Sequence, residues 1–244
     1  MSRDLRARYR GSLLGFAWSF INPLLLLLIY TFVFTIVIPA RGMGVEPYAV
    51  FLFCGILPWT WFSSSLLESS NVLVAGGNLI KKVMFPAEVL PLVTVVAGLV
   101  HFCFGLPILA AFLIYFGVPV HPDLALLPLI VLAQLVLTIG LALLVSSLTV
   151  HFRDVRDLLA NLLTLWFFAT PIIYPVEQAP PRVQQLLNLN PFTHLAVLYQ
   201  EALFRQEPFD ETWRLGVVVA IALVTFAVGY FVFDRLRDTL AEEV

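Results

Sequence analysis

From Ile21 to Phe233 the chain alternates long apolar runs with short polar ones. Six of the runs are long enough to cross a bilayer: Ile21 to Ile38, Tyr48 to Leu67, Val89 to Phe116, Leu124 to Val150, Leu158 to Pro175 and Leu215 to Phe233. None contains Asp, Glu, Lys or Arg. A helix rises about 1.5 Å per residue, so runs of roughly 18 residues or more span a hydrocarbon core of about 30 Å. Lipid supplies no hydrogen-bond partners, and a helix satisfies its backbone internally. The pattern therefore predicts an all-α, polytopic membrane protein with six transmembrane helices, forming one domain over residues 1–244.

The polar intervals carry weaker helical signals. Leu5, Tyr9 and Leu13 recur at i, i+4, i+8 while Arg3, Arg6 and Arg10 occupy other faces, the mark of a short amphipathic helix on the membrane surface. A charged topogenic flank reads the same way. The interval between the second and third runs, Glu68 to Glu88, is broken at Gly76-Gly77; Asn78 then caps a predicted helix from Leu79 to Phe85, which Pro86 stops. That helix suits docking of another subunit, and a solvated connector with Lys81 and Lys82 as topogenic charges is the alternative. Between the fifth and sixth runs, Pro180-Pro181 precedes Val183, Leu186 and Leu187, and Asn190-Pro191 precedes Leu195, Leu198, Tyr199 and Ala202 at helical spacing. Two short amphipathic helices at the outer face are expected, too short to span; an ordinary extracellular hairpin is the alternative.

Composition agrees with a membrane bundle. Hydrophobic residues make up 60% of the chain and charged ones 12%, against about 25% charged in soluble domains; the mean hydropathy is +0.94. The net charge of -2 says little about partners. Its distribution says more, because every Lys and Arg except Arg41, Arg182, Arg205 and Arg214 lies at a terminus or in an alternate loop. The positive-inside rule then puts both termini in the cytoplasm. The first run is longer than a signal peptide's apolar core and lacks a small-residue cleavage site, so an uncleaved span is expected. Cys54 and Cys103 fall inside spans, away from any metal-ligand spacing, and read as packing residues.

Catalytic chemistry is missing. Ion-coupled transport needs an ionisable group within the membrane, and the six runs offer only His101, which reads as a packing residue. Gly76-Gly77-Asn78-Leu79-Ile80-Lys81-Lys82 lacks the second glycine and the Ser or Thr of a phosphate loop. No hydrolase or zinc signature occurs. Aromatics are abundant, with 21 Phe, 7 Tyr and 5 Trp. In Pro58-Trp59-Thr60-Trp61-Phe62-Ser63-Ser64-Ser65, flat rings alternate with hydroxyls that suit sugar faces and sugar OH groups. Tyr30, Phe34 and Trp166 extend such a lining, as do Phe167, Phe168 and Tyr174. Simple packing of the rings explains the same pattern.

Taken in order, several motifs resemble those of the membrane permeases of bacterial ABC transporters that export polysaccharides such as O-antigen, capsule and teichoic acid. They are Arg8-Tyr9-Arg10-Gly11-Ser12 with Leu14-Gly15 and Trp18; Gly55-Ile56-Leu57-Pro58-Trp59 with Phe62-Ser63; and Asn78-Leu79-Ile80-Lys81-Lys82-Val83 with Phe85-Pro86. Phe152-Arg153-Asp154-Val155, Pro171-Ile172-Ile173-Tyr174 and Asn190-Pro191 complete the series across nearly the whole chain.

The resemblance implies a homodimer in the bacterial inner membrane, moving a lipid-linked polysaccharide with energy from a separate ATPase subunit. ATP and Mg are expected on that partner, no cofactor or metal on this chain, and no nucleic acid. It implies an interface helix around Leu5, Arg8, Tyr9 and Arg10, and ATPase docking through Asn78, Leu79, Lys81, Lys82, Val83, Met84 and Phe85. It also implies a channel with Tyr30, Phe34, Trp59, Trp61, Phe62 and Trp166 as candidate lining, and an outer gate near Tyr174 and Pro191. In one respect the chain departs from the family: fewer residues precede Arg8 than is usual, so a shortened interface helix or a start further upstream is expected. A permease for a lipid or small amphiphile, or a membrane scaffold for glycan assembly, are the competing functional readings.

Overall fold

A computed structural model describes residues 18–37, 44–77, 86–119, 122–152, 154–204 and 212–243. Every regular element among them is helical: α1 Trp18–Phe32, continued by a π-turn Val33–Val37; α2 Tyr48–Ala75; α3 Val89–Tyr115; α4 Leu127–His151, led in by a 3₁₀ turn Pro122–Leu126; α5 Val155–Phe168; α6 Pro181–Leu187; α7 Pro191–Leu203; and α8 Thr212–Glu243. The interface-helix residues Leu5, Arg8, Tyr9 and Arg10, and the docking residues Asn78, Leu79, Lys81, Lys82, Val83, Met84 and Phe85, lie outside the described residues.

Among the described residues, four segments are long and apolar enough to cross a bilayer: Tyr48–Ala75, Val89–Tyr115, Pro122–His151 and Thr212–Arg237. They match the second, third, fourth and sixth runs. Two corrections follow for the others and one for a boundary. The fifth run, expected to be helical to Pro175, ends its helix at Phe168 after 14 residues, because Pro171 and Pro175 cannot donate to a helical ladder. The first run keeps α-helical winding only to Phe32 before the π-turn. Helix α2 runs to Ala75, two turns beyond Leu67, and Gly76 then stops it. Ser69 and Ser70, which read as loop, are buried, and Ser70 returns its hydroxyl proton to the Leu67 carbonyl at 2.7 Å.

Helix α2 is the axis of the bundle, buried along most of its length and packed by α1, α3, α4, α5 and α7. Pro58 interrupts its ladder, and the Gln134 side chain of α4 donates to the Pro58 carbonyl at 2.9 Å. Helix α8 packs along α4 and turns most of its remaining surface outward, with Leu223, Val224, Tyr230 and Phe231 exposed. At that crossing the backbones touch. A Cβ at Gly140 would lie 2.6 Å from the Phe226 backbone, and one at Gly229 would lie 2.0 Å from the Gly140 oxygen. Small residues that admit such approach are how membrane helices gain van der Waals contact without a hydrophobic driving force. Cys54 is buried, as expected of a packing residue, whereas Cys103 is exposed on α3.

Candidate functional site at a broken helix

The chain from Ala169 to Pro180 is largely irregular, with a single 3₁₀ turn at Val176–Gln178, and its backbone carbonyls need partners. Asn190 supplies the first. Its side-chain oxygen accepts from the Phe192 amide at 3.0 Å, capping α7 as the Asn-Pro pair predicts, and also from the Trp166 indole at 2.7 Å. Its amide nitrogen donates to the Ala169 carbonyl at 3.1 Å and to the Thr170 hydroxyl at 2.9 Å. Thr170 in turn donates to the Trp166 carbonyl at 2.7 Å. Farther along, Gln200 donates to the Pro171 carbonyl at 3.1 Å and the Tyr48 hydroxyl donates to the Ile173 carbonyl. The break is thus stitched to α7 and α2 by side chains from 20 to 125 residues away.

Trp166 and Phe192 join this network to an aromatic cluster. The Trp59 ring meets Phe192 at 4.8 Å, Phe167 at 5.7 Å and Trp166 at 6.3 Å; Phe62 meets Phe192 at 4.7 Å and Trp166 at 5.4 Å. Near-perpendicular pairs such as Trp59 with Phe192 suit the ring quadrupoles. Of the expected lining residues, Trp59, Trp61 and Phe62 are sealed inside this one chain, at 7%, 2% and 0% exposure. Trp61 stands apart from the cluster, donating to the Val95 carbonyl at 3.1 Å and packing on Phe102. Tyr30, Phe34 and Trp166 are half-buried. Phe34 meets Tyr48 at 4.8 Å. Of the expected gate residues, Tyr174 is half-buried beside the break and Pro191 opens α7. Helix α7 itself is enclosed by protein from Phe192 to Ala202 rather than amphipathic and surface-lying.

A second polar group ties α7 to the start of α8. Arg214, 4% exposed, donates to the Asn188 side-chain oxygen at 3.0 Å and contacts His194 Nδ1 at 3.1 Å. His194 Nε2 lies 2.9 Å from the Asn188 carbonyl. A carbonyl accepts only, so Nε2 carries the proton and Nδ1 accepts from the guanidinium, which fixes a neutral imidazole. Burial and the nearby guanidinium hold the His194 pKa below its usual value, against the opposing backbone hydrogen bond.

Helix α5 presents two neighbouring rows on its open side. Leu158, Leu162 and Leu165 form one, at 67%, 54% and 69% exposure. Asp157, Asn161 and Thr164 form the other, also exposed and also at i, i+4, i+7. Lipid offers such polar groups no partners, so this row suits a water-filled path or a second protein surface. Asn161 and Thr164 lie inside the fifth run, where Asn and Thr do not interrupt an apolar stretch, and Asp157 stands just before it. Asn188, Thr170, Gln200 and Arg214 carried no sequence signal, since their partners are distant.

A model of the family described as ABC-2 type transporter matches residues 1–204 of this chain. The chain is 36% identical over 246 residues to the O-antigen export system permease protein RfbA of Myxococcus xanthus, covering 100% of this chain and 93% of that protein. It is 31% identical over 244 residues to a protein of the same name from Klebsiella pneumoniae, covering 99% and 92%. Against the polysialic acid transport protein KpsM of Escherichia coli the identity is 24% over 241 residues, covering 98% and 92%.

Proposed function

Because the chain belongs to the ABC-2 type transporter family, we propose that it is the membrane subunit of an ATP-driven exporter carrying a lipid-linked polysaccharide across the bacterial cytoplasmic membrane. The observation that carries this reading is the end-to-end likeness to permeases named for O-antigen export. The chain itself performs no chemistry. A separate ATPase subunit binds ATP and Mg and docks on Asn78, Leu79, Lys81, Lys82, Val83, Met84 and Phe85, with the segment around Leu5, Arg8, Tyr9 and Arg10 lying along the cytoplasmic face as an interface helix.

In this reading both termini are cytoplasmic and the chain crosses six times, through α1 to α5 and α8. Helix α5 rises only about 21 Å, so the irregular segment after it completes the fifth crossing. Non-helical backbone is tolerated at membrane depth where protein satisfies it, as Asn190, Gln200 and Tyr48 do here. Helices α6 and α7 then lie toward the outer face. Two copies pair, and the glycan passes between them along the polar row of α5, with Trp166, Tyr30 and Phe34 offering ring edges. Trp59 and Phe62 form the wall behind, Trp61 being turned toward α3 instead, and Tyr174 with Pro191 marks the exit.

Deleting the gene in its source bacterium should abolish the surface glycan and leave lipid-linked glycan inside, with rescue only when the partner ATPase is catalytically intact. Normal surface glycan in the deletion strain refutes the proposal.

A further inference from the structure

Between α1, α2 and α3 lies a cavity of about 280 Å³ whose polarity is sorted along the helix axes. At one end the lining is Leu26, Phe53, Ile56, Leu57 and Phe102. At the other it is Asn22, Ser64, Ser65 and Glu68, with Thr60, Trp61 and His101 between. On α2 alone, Phe53 and Glu68 are separated by about 22 Å of helix. A sugar carries hydroxyls round its edges and would leave them unpaired against the aliphatic end, whereas this gradient fits an amphiphile standing parallel to the helices, its chain on the apolar floor and its headgroup at the polar end.

The polar end is rich in acceptors. The Thr60 and Ser64 hydroxyl protons go to the Ile56 and Trp61 carbonyls, at 2.8 and 3.3 Å, which leaves their lone pairs for a ligand. Ser65 is 1% exposed and its oxygen has no hydrogen-bond partner among the described residues. Glu68 adds a carboxylate whose two oxygens accept several hydrogen bonds at once, so that it can take a ligand donor beside the interaction it already makes within the chain. Such a set favours a headgroup that brings donors and positive charge over one that brings only anionic oxygen.

We propose that this cavity binds a membrane phospholipid with a primary ammonium headgroup, of the phosphatidylethanolamine kind. With the orientation argued above, the headgroup end faces the cytoplasm and the lipid belongs to the inner leaflet; the clause about leaflet, though not the binding, rests on that reading. The site is separate from the polar row of α5 and needs no second copy.

The test is native mass spectrometry of the full-length permease in mild detergent, titrated with phosphatidylethanolamine, phosphatidylcholine and phosphatidylglycerol of matched acyl chains. Phosphatidylethanolamine should be retained about tenfold better than the other two, the discrimination one charge-assisted hydrogen bond provides. Glu68→Gln should remove that preference, and Ser64→Leu, which fills the cavity, should lower retention of all three lipids. Leu223→Ala, on the open face of α8, should change neither. Equal retention of the three lipids, or unaltered retention in Ser64→Leu, overturns the proposal, as does displacement of the bound lipid by a lipid-free oligosaccharide. Lipid binding in detergent is independent of orientation. An error in the topology would therefore appear only as reversed labelling of cysteines introduced at Arg41 and Arg156 by an impermeant reagent.

Discussion

The seam between α4 and α8 and the junction between α5 and α7 hold the same bundle together by opposite means. At the seam, Gly140 and Gly229 let two backbones touch, and apolar side chains close around them. Its strength is the sum of many weak contacts with no preferred alternative. At the junction, Asn190 and Gln200 donate directional hydrogen bonds to the Ala169 and Pro171 carbonyls, which no helix satisfies, and Trp166 and Thr170 bond the Asn190 side chain. Such bonds are modest individually and can be exchanged for others. A membrane protein that must both persist and open is thus stiff where atoms merely touch and adaptable where they are addressed one by one.

The largest effect should come from the seam. Gly229→Ala places a methyl group within the Gly140 carbonyl, so the helices must part; a loss of more than about 3 kcal/mol is expected. It would be read as failure of the permease to accumulate in the membrane, and normal accumulation would mean that the contact is dispensable.

Asn190→Ala should act differently, by uncapping α7 and stranding the Trp166 indole and the Ala169 carbonyl. The expected cost is about 2–4 kcal/mol, with the protein still inserted and still bound to its ATPase but with glycan export lost. Loss of insertion instead would place the junction in the same class as the seam.

Asn161→Leu tests whether the open side of α5 meets water or lipid. Export should fall several-fold with stability unchanged or slightly raised, because only a hydrated path values the amide. Unimpaired export would reassign the row to packing.

The smallest effect concerns His194. Its folded pKa is depressed, so the unfolded state binds the proton more readily. The stability it contributes is complete above the ordinary value of 6.5 and is lost as the pH falls through the depressed folded value. Arg214 and Asn188 face the ring, and Asp123 sits on the 3₁₀ turn packed against α7. His194→Gln keeps an acceptor for Arg214 and a donor for Asn188 without titrating. The unfolding midpoint of the purified protein should drop by a few degrees between pH 7.5 and 5.5, and this drop should be absent in the variant; a parallel drop in both would locate the sensitivity elsewhere.

Much of the fold was legible because apolar length is a local property. The second, third, fourth and sixth runs announced themselves, and Asn190-Pro191 marked the start of α7 from the capping preference alone. Span five misled, since Pro171-Ile172-Ile173-Tyr174-Pro175 is apolar enough to extend the run although its prolines forbid the helix. What makes that break tolerable, the side chains of Asn190, Gln200 and Tyr48, depends on folding and has no local signature. The rings of Trp59 and Phe62 were equally ambiguous: hydrophobicity does not say whether a ring faces a path or Phe192. The polar row on α5 was present in the letters but became meaningful only once exposure showed which side of the helix it occupied.

The position of the two seam glycines also sets a timetable for biogenesis. Gly140 and Gly229 are far apart in the chain, and α4 reaches the membrane well before α8 is synthesised. At translation rates of about 5–20 residues per second the interval is on the order of ten seconds. Throughout it, the face of α4 that will receive α8 must be shielded by lipid or by the insertion machinery. Completion of the last helix, rather than of the first four, is the event that commits the nascent permease to its final shape, and chains released early should be cleared by proteolysis.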